Sequence, residues 1–263
     1  MLRGLAGMER HFKCTACGKC CFGWLPLTLD DALAHAGRFP LGMVWTPLRQ
    51  GHKAFKTTAR LGATITLRDR RQLALRLVPT SYIPPSLACP ELGADNLCGI
   101  QESKPSRCRA MPFFPYVDEA DQAPMLVPRK GWQCDVSEAA PVVYRDKAIL
   151  DRIDFDREAA QLKAQAPVLR AYAEALVPTV PGLLDALVKS AAKPVGGDVL
   201  LSFATLLPRL DGVDVGGIAR AQLPVLHRHA ELTADRPELV EYHRRYREWI
   251  ADMERLSRRH PPK

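Results

Sequence analysis

Residues 63 to 78, Ala63-Thr-Ile-Thr-Leu-Arg-Asp-Arg-Arg-Gln-Leu-Ala-Leu-Arg-Leu-Val78, separate a mixed fold from an all-helical one. Ala63 to Leu67 and Leu73 to Val78 are β-like runs around the charged Arg68-Asp-Arg-Arg71 stretch, and the pattern predicts a hairpin. Upstream, Thr28-Leu-Asp-Asp before Ala32-Leu-Ala-His-Ala reads as a short helix. Thr28 is its cap, acids fill its first turn, and it stops at Gly37. Downstream, Met125-Leu-Val127 between Pro124 and Pro128 is expected to be a short edge strand.

The character of the chain changes near residue 135. Residues 1 to 134 hold 18 Lys and Arg against 10 Asp and Glu, a net of +8, whereas residues 135 to 263 hold 19 of each sign. All eight cysteines, Cys14 to Cys134, lie in the basic part. Beyond it come Ala- and Leu-rich segments of helical spacing, over 145 to 176, 181 to 192, 197 to 207, 214 to 230 and 236 to 259. In the last, Leu239, Tyr242, Tyr246, Trp249, Ile250, Met253 and Leu256 form one apolar stripe. Arg244, Arg245, Arg247, Arg255, Arg258 and Arg259 occupy the opposite, solvated face. The expected architecture is α+β and mainly α. An irregular cysteine-bearing region over 1–134, with its small hairpin, packs on a helical region over 135–263.

Composition narrows the class of function. Hydrophobic residues make up 47% and charged residues 25% of 263, which fits an ordinary globular chain and excludes wholesale disorder. The longest clean apolar run, Val199 to Leu207, is far shorter than the roughly twenty residues of a membrane span. The first ten residues lack the apolar core of a secretory signal, so a cytoplasmic location is expected. No phosphate-binding glycine loop, nucleophile elbow or H-E-x-x-H element occurs, and no nucleic-acid motif accompanies the basic charge. His227 and His229, two residues apart on a helix, face different ways and do not form a pair.

The chemistry lies in Cys14-Thr-Ala-Cys17-Gly-Lys-Cys20-Cys21. Two-residue spacings let a tight turn aim three sulfurs at one centre, and Gly18 eases the backbone. The adjacent Cys20 and Cys21 point apart and can serve different irons of a cluster or neighbouring sites. Further ligands are drawn from Cys21 or from the distant Cys89, Cys98, Cys108 and Cys134. A disulfide framework fits poorly with a chain of this length and no secretory signal. Thiolates accept either zinc or an iron-sulfur cluster. Three close cysteines with a remote fourth suit a cluster, [4Fe–4S] by spacing, somewhat better.

Together with Cys89-Pro90 and Cys98-Gly-Ile-Gln-Glu-Ser-Lys-Pro-Ser-Arg-Cys108-Arg-Ala-Met-Pro112-Phe, this pattern resembles the bacterial cysteine-cluster family of zinc- or iron-chelating domains, the YkgJ family. The flagellin lysine N-methylases belong to the same group. Gln101 stands where the family has tyrosine and Lys104-Pro105 where it has Arg-Pro, while Cys108-Arg109 and Pro112-Phe113 agree. The resemblance covers residues 12 to 134. It implies a protein holding an iron-sulfur cluster or zinc, with a redox, structural or metal-handling role and a redox partner. The alternative it implies is a cluster-dependent protein-lysine N-methyltransferase using S-adenosylmethionine on a protein substrate. Lys19, Arg107 and Arg109 are candidates to steady thiolate charge or donate to cluster sulfur. Trp24, Phe113, Phe114, Tyr116 and Trp132 are candidates for an apolar shell, compatible with ordinary core.

Overall fold

The computed structural model describes residues 9–261. In chain order its elements are β1 (Arg10–His11), β2 (Leu25–Pro26), α1 (Leu29–Ala34), β3 (Leu41–Arg49), α2 (Phe55–Leu61), β4 (Ala63–Thr66), β5 (Gln72–Ser81), α3 (Ser106–Arg109), β6 (Val142–Arg145), β7 (Ala148–Ile149), α4 (Ile153–Leu176), α5 (Leu183–Ala192), β8 (Val199–Ser202), α6 (Val215–Thr233) and α7 (Val240–Arg259). The fold is α+β, with two antiparallel sheets. No helix among the described residues is long and apolar enough to cross a membrane.

The chain forms two compact units, neither of them continuous in sequence. One contains the chain up to Cys21 and Glu91–Ala160; the other contains Phe22–Pro90 and the chain from Gln161 onward. The change of composition at residue 135 therefore falls inside the first unit and does not mark a border of either.

In the second unit, β5 and β3 pair over nine residues, from Leu41 opposite Ser81 to Arg49 opposite Leu73. β8 adds to the outer side of β3, while β2 and β4 share the outer edge of β5. The β4–β5 pairing is the expected hairpin, extended to Ser81. Both central strands are buried almost without alternation, because helices cover both sheet faces. Successive strand residues point to opposite faces. Trp45 meets Tyr172 of α4 edge-on at 5.3 Å on one face, and Gly42 lies against Trp249 of α7 on the other.

The helices follow their local signals. Thr28 Oγ1 accepts the Asp31 amide at 3.1 Å, the expected N-cap of α1. The apolar stripe of α7 buries Tyr246, Trp249, Ile250, Met253 and Leu256. Its opposite face is laced by ion pairs such as Arg244–Glu241 and Arg255–Asp252. His229 is buried and bonded to the Val225 carbonyl, whereas His227 is exposed, so the two do face apart.

Three expected elements differ. Residues 197 to 207, read as a helix, hold strand β8 followed by 3-10 turns; a four-residue apolar run takes the conformation that a neighbouring strand edge can pair. The segment beginning at 145 opens as the β6–β7 hairpin, with Asp146 and Lys147 at φ of 51° and 65°, and becomes helical only at Ile153. Residues 125 to 127 are not a strand. Ala123–Leu126 is a 3-10 turn with Pro124 in its first turn, where a missing N–H removes nothing.

In the first unit, β1, β6 and β7 form a small sheet. Phe113, Leu126, Tyr144, Ile149 and Phe155 build its core, with Phe12 packed against them. Gln122 knits the loop above this core. Its carboxamide accepts from the Phe114 amide at 3.0 Å and donates to the carbonyls of Phe114 and Val117 at 2.9 and 2.7 Å.

Candidate metal centre

Past β1 the chain makes a separate, isolated antiparallel bridge at the start of the cysteine loop. Phe12 donates to Pro141, and Lys13 and Asp135 exchange both backbone hydrogen bonds, at 2.8 and 3.0 Å. Cys14 and Cys134 are the next residues on either side of this bridge, and negative charge on Cys14 is felt at Cys134. The Thr15 hydroxyl then donates to the Gln133 carbonyl at 2.9 Å, which holds the two segments together past the cysteines.

Beyond Thr15 the loop turns sharply. Ala16 and Gly18 both take left-handed conformations, with φ of 54° and 71°. The Ala16 amide donates to the Cys14 sulfur at 3.4 Å, and the Cys21 amide donates to the Gly18 carbonyl at 3.0 Å, closing a 3-10 turn over Lys19–Cys21. Cys14 and Cys20 are exposed; Cys17, Cys21 and Cys134 are half-buried. Among the described residues no disulfide is formed.

The thiols sense one another. Backbone amides of Gln133 and Lys19 hold the Cys17 thiol below its usual range. A hydrogen bond from the Cys21 thiol, helped by the Lys104 charge, pushes Cys20 down to about 6, so these adjacent thiols meet and do not point apart as expected, because the 3-10 turn over Lys19–Cys21 brings them together. Cys134 is shifted upward, first by burial and then by negative charge on Cys17, Cys14 and Cys20. The charge contributions put Cys14, Cys17 and Cys20 within electrostatic reach of Cys134. As the side chains stand, no three His, Cys, Asp or Glu among the described residues are arranged to hold a metal ion. The donor set nevertheless has the chemistry of a thiophilic centre, with several thiols, backbone N–H donors and a nearby lysine.

The other candidates are placed as follows. Cys98 lies in a tight loop, opposite Leu92 in a β-bridge. Cys108 lies in α3. Cys89 belongs to the second unit, next to Ala88, which bridges Phe22 there; Trp24 belongs to that unit too and donates to the Tyr242 hydroxyl at 2.9 Å. Lys19 is exposed within the cysteine loop.

Both arginines beside Cys108 have structural engagements. Arg107 is buried with its Nη1 3.1 Å from Glu158 Oε2, it donates to the Phe113 carbonyl, and its guanidinium lies 5.0 Å from the Phe114 ring centre. Arg109 donates from Nε to the Lys104 carbonyl at 3.2 Å and from Nη2 to the carbonyls of Gln101 and Glu102, tying the preceding turn to α3. Of the expected apolar shell, Phe113 joins the core of the small sheet, Phe114 and Tyr116 pack at 5.4 Å, and Trp132 is stacked by Arg129 at 5.4 Å.

Sequence reasoning passed over Glu158, the buried partner of Arg107, and Gln122. A lone acid on a helix and a lone amide between prolines carry no periodic signal. Searches against protein-family models, curated proteins and solved structures find no match to this chain.

Proposed function

We propose that the protein is a metal-binding protein whose centre, an iron-sulfur cluster or zinc, is held by Cys14, Cys17, Cys20 and Cys134. The observation that carries this reading is the Lys13–Asp135 backbone pair. It brings the remote Cys134 beside the first cysteine of a loop that supplies two more sulfurs. A tight triple plus a distant fourth is the donor pattern that cluster and zinc sites share. The resemblance to the cysteine-cluster family supports the same reading. Bound there, a cluster would supply one-electron chemistry, and zinc would supply a structural cross-link or a transferable ion.

This chain's own residues perform three tasks in that reading. The paired segments fix the separation of Cys14 and Cys134. The left-handed turns at Ala16 and Gly18 redirect Cys17 and Cys20. The amides of Gln133 and Lys19 stabilise thiolate charge and so favour ligation over protonation.

Protein purified without oxygen should carry iron with matching acid-labile sulfide, or zinc without sulfide, at a fixed ratio to chain. Changing Cys134 to Ser should lower affinity by more than the roughly 10–100-fold that outer partners of a metal site contribute. Full metal retention by Cys134→Ser, measured by elemental analysis, would remove Cys134 from the site. Absence of iron and zinc from the native protein would end the reading altogether.

A further inference from the structure

The cysteine loop is held from one side by the segment containing Gln133 and Asp135. A second segment of the same unit reaches it at Gly18. Gly18 is buried, and a Cβ built on it would lie 2.9 Å from Oδ1, 3.3 Å from Cγ and 3.4 Å from Cβ of Asn96. The Asn96 carboxamide therefore rests directly on the Cα of Gly18, midway between Cys17 and Cys20 in the Cys17-Gly-Lys-Cys20 turn. A Cβ at position 18 would push that carboxamide aside. Glycine is favoured there twice, for the space and for its φ of 71°.

Asn96 is presented by a loop closed with its own backbone. Gly93 donates to Leu97 at 2.8 Å, Asn96 to Gly93 at 3.0 Å and Gly99 to Glu91 at 2.7 Å, and Leu92 bridges Cys98. The Leu97 amide is further held by Asp95 Oδ1 at 3.0 Å. At the tip of this loop Asn96 takes φ of 62°, a conformation that asparagine tolerates better than most residues. Its backbone conformation and its contact thus serve one placement, an exposed polar amide set against Gly18 of the thiol loop.

We infer that Asn96 is a positioning residue of the thiol site: its carboxamide seats on Gly18 and sets the course of the Cys17–Cys20 turn before metal arrives. The inference rests on the metal-binding reading above. Ordering a turn in advance removes part of the entropy lost when its sulfurs are fixed on an ion, so the contact contributes to metal affinity more than to the stability of the apoprotein.

The test uses cobalt(II), whose thiolate charge-transfer and ligand-field bands report both binding and geometry. Asn96→Gly keeps access to the left-handed conformation and deletes the carboxamide. The full-length variant should bind cobalt about 10–100-fold more weakly than the native chain, with altered ligand-field bands, as for loss of an outer partner. Its urea midpoint without metal should stay unchanged. Gly18→Ala should weaken binding as well, and its effect should shrink in an Asn96→Gly background, where the carboxamide it strikes is gone. Cobalt affinity of Asn96→Gly within twofold of native, or strict additivity of the two substitutions, would overturn the inference. If the native chain takes up neither cobalt nor, on anaerobic reconstitution, iron with sulfide, the metal-binding reading itself fails, a result seen before any variant is compared.

Discussion

Arg107→Met should destabilise the protein by about 3–5 kcal/mol, the range measured when one member of a buried ion pair is removed. The side chains of Arg107 and Glu158 are 6% and 3% exposed, so the Glu158 carboxylate would lose its cation in a region that water hardly reaches. Burial already lowers the Arg107 pKa, and the charge of Glu158 opposes that shift. The pair is thus a compensated arrangement, and most of the loss comes from breaking the compensation. For that reason the double variant Arg107→Met/Glu158→Leu should recover most of the loss, because two apolar side chains of similar volume carry no desolvation penalty. Urea unfolding of the four proteins in the cycle measures this directly. A single variant within about 1 kcal/mol of native would show that the pair carries little stability, since even exposed pairs reach that value.

Trp249→Ala should cost a similar amount, about 3–5 kcal/mol, for a different reason. The indole is 2% exposed and fills the space between the sheet and α7, with Tyr82 at 5.1 Å and Tyr246 at 6.4 Å. Its ring lies so close to Gly42 that an alanine methyl there would strike Cη2 and come within 2.9 Å of Cζ3. Gly42→Ala should therefore cost about 1–3 kcal/mol by overpacking. In a Trp249→Ala background the same methyl enters the cavity instead, so its cost should fall toward zero or change sign. Independent, additive losses in thermal or urea unfolding would mean that the ring can move aside and that the contact does not fix the helix on the sheet.

These two positions also show what could be read in the chain and what could not. Trp249 was legible, because its stripe has a clean helical period. Gly42 was not, because β3 alternates poorly and contains Pro47, which speaks against a central strand. The register resolves that conflict. β8 pairs β3 only from Gly42 to Trp45, so Pro47 stands where the far side of the strand has no partner. Pro79 of β5 likewise falls between the stretches paired with β4 and β2. Both prolines therefore fit without breaking a ladder. The expected hairpin stops at Val78, one residue before Pro79, whereas β5 runs through it to Ser81.

The site divides along similar lines. The turn at Cys14 to Cys20 was legible from spacing and from Gly18, since all of its determinants are local. The neighbourhood of Cys134 was not, because it depends on a backbone pair between residues far apart in sequence. The arginines beside Cys108 read as charges near sulfur, and sequence gives no way to see Glu158 waiting on α4. Buried polar partners such as Gln122, and Gln222, which accepts from the Leu41 amide at 2.9 Å and donates to the Phe39 carbonyl at 2.8 Å, are equally silent. Their role depends on which backbone groups tertiary folding leaves without partners.

The pairing of Lys13 with Asp135 has a temporal side. Cys134 follows Cys14 by 120 positions, and at about 5–20 residues per second a ribosome adds it roughly 6–24 s later. Through that interval the fourth companion of the first three thiols does not yet exist. A nascent chain of this kind offers an incomplete set of sulfurs to passing metals and oxidants. Under the proposed reading, delivery of the centre waits on translation, and the segment that carries Cys134 is the closing step of assembly.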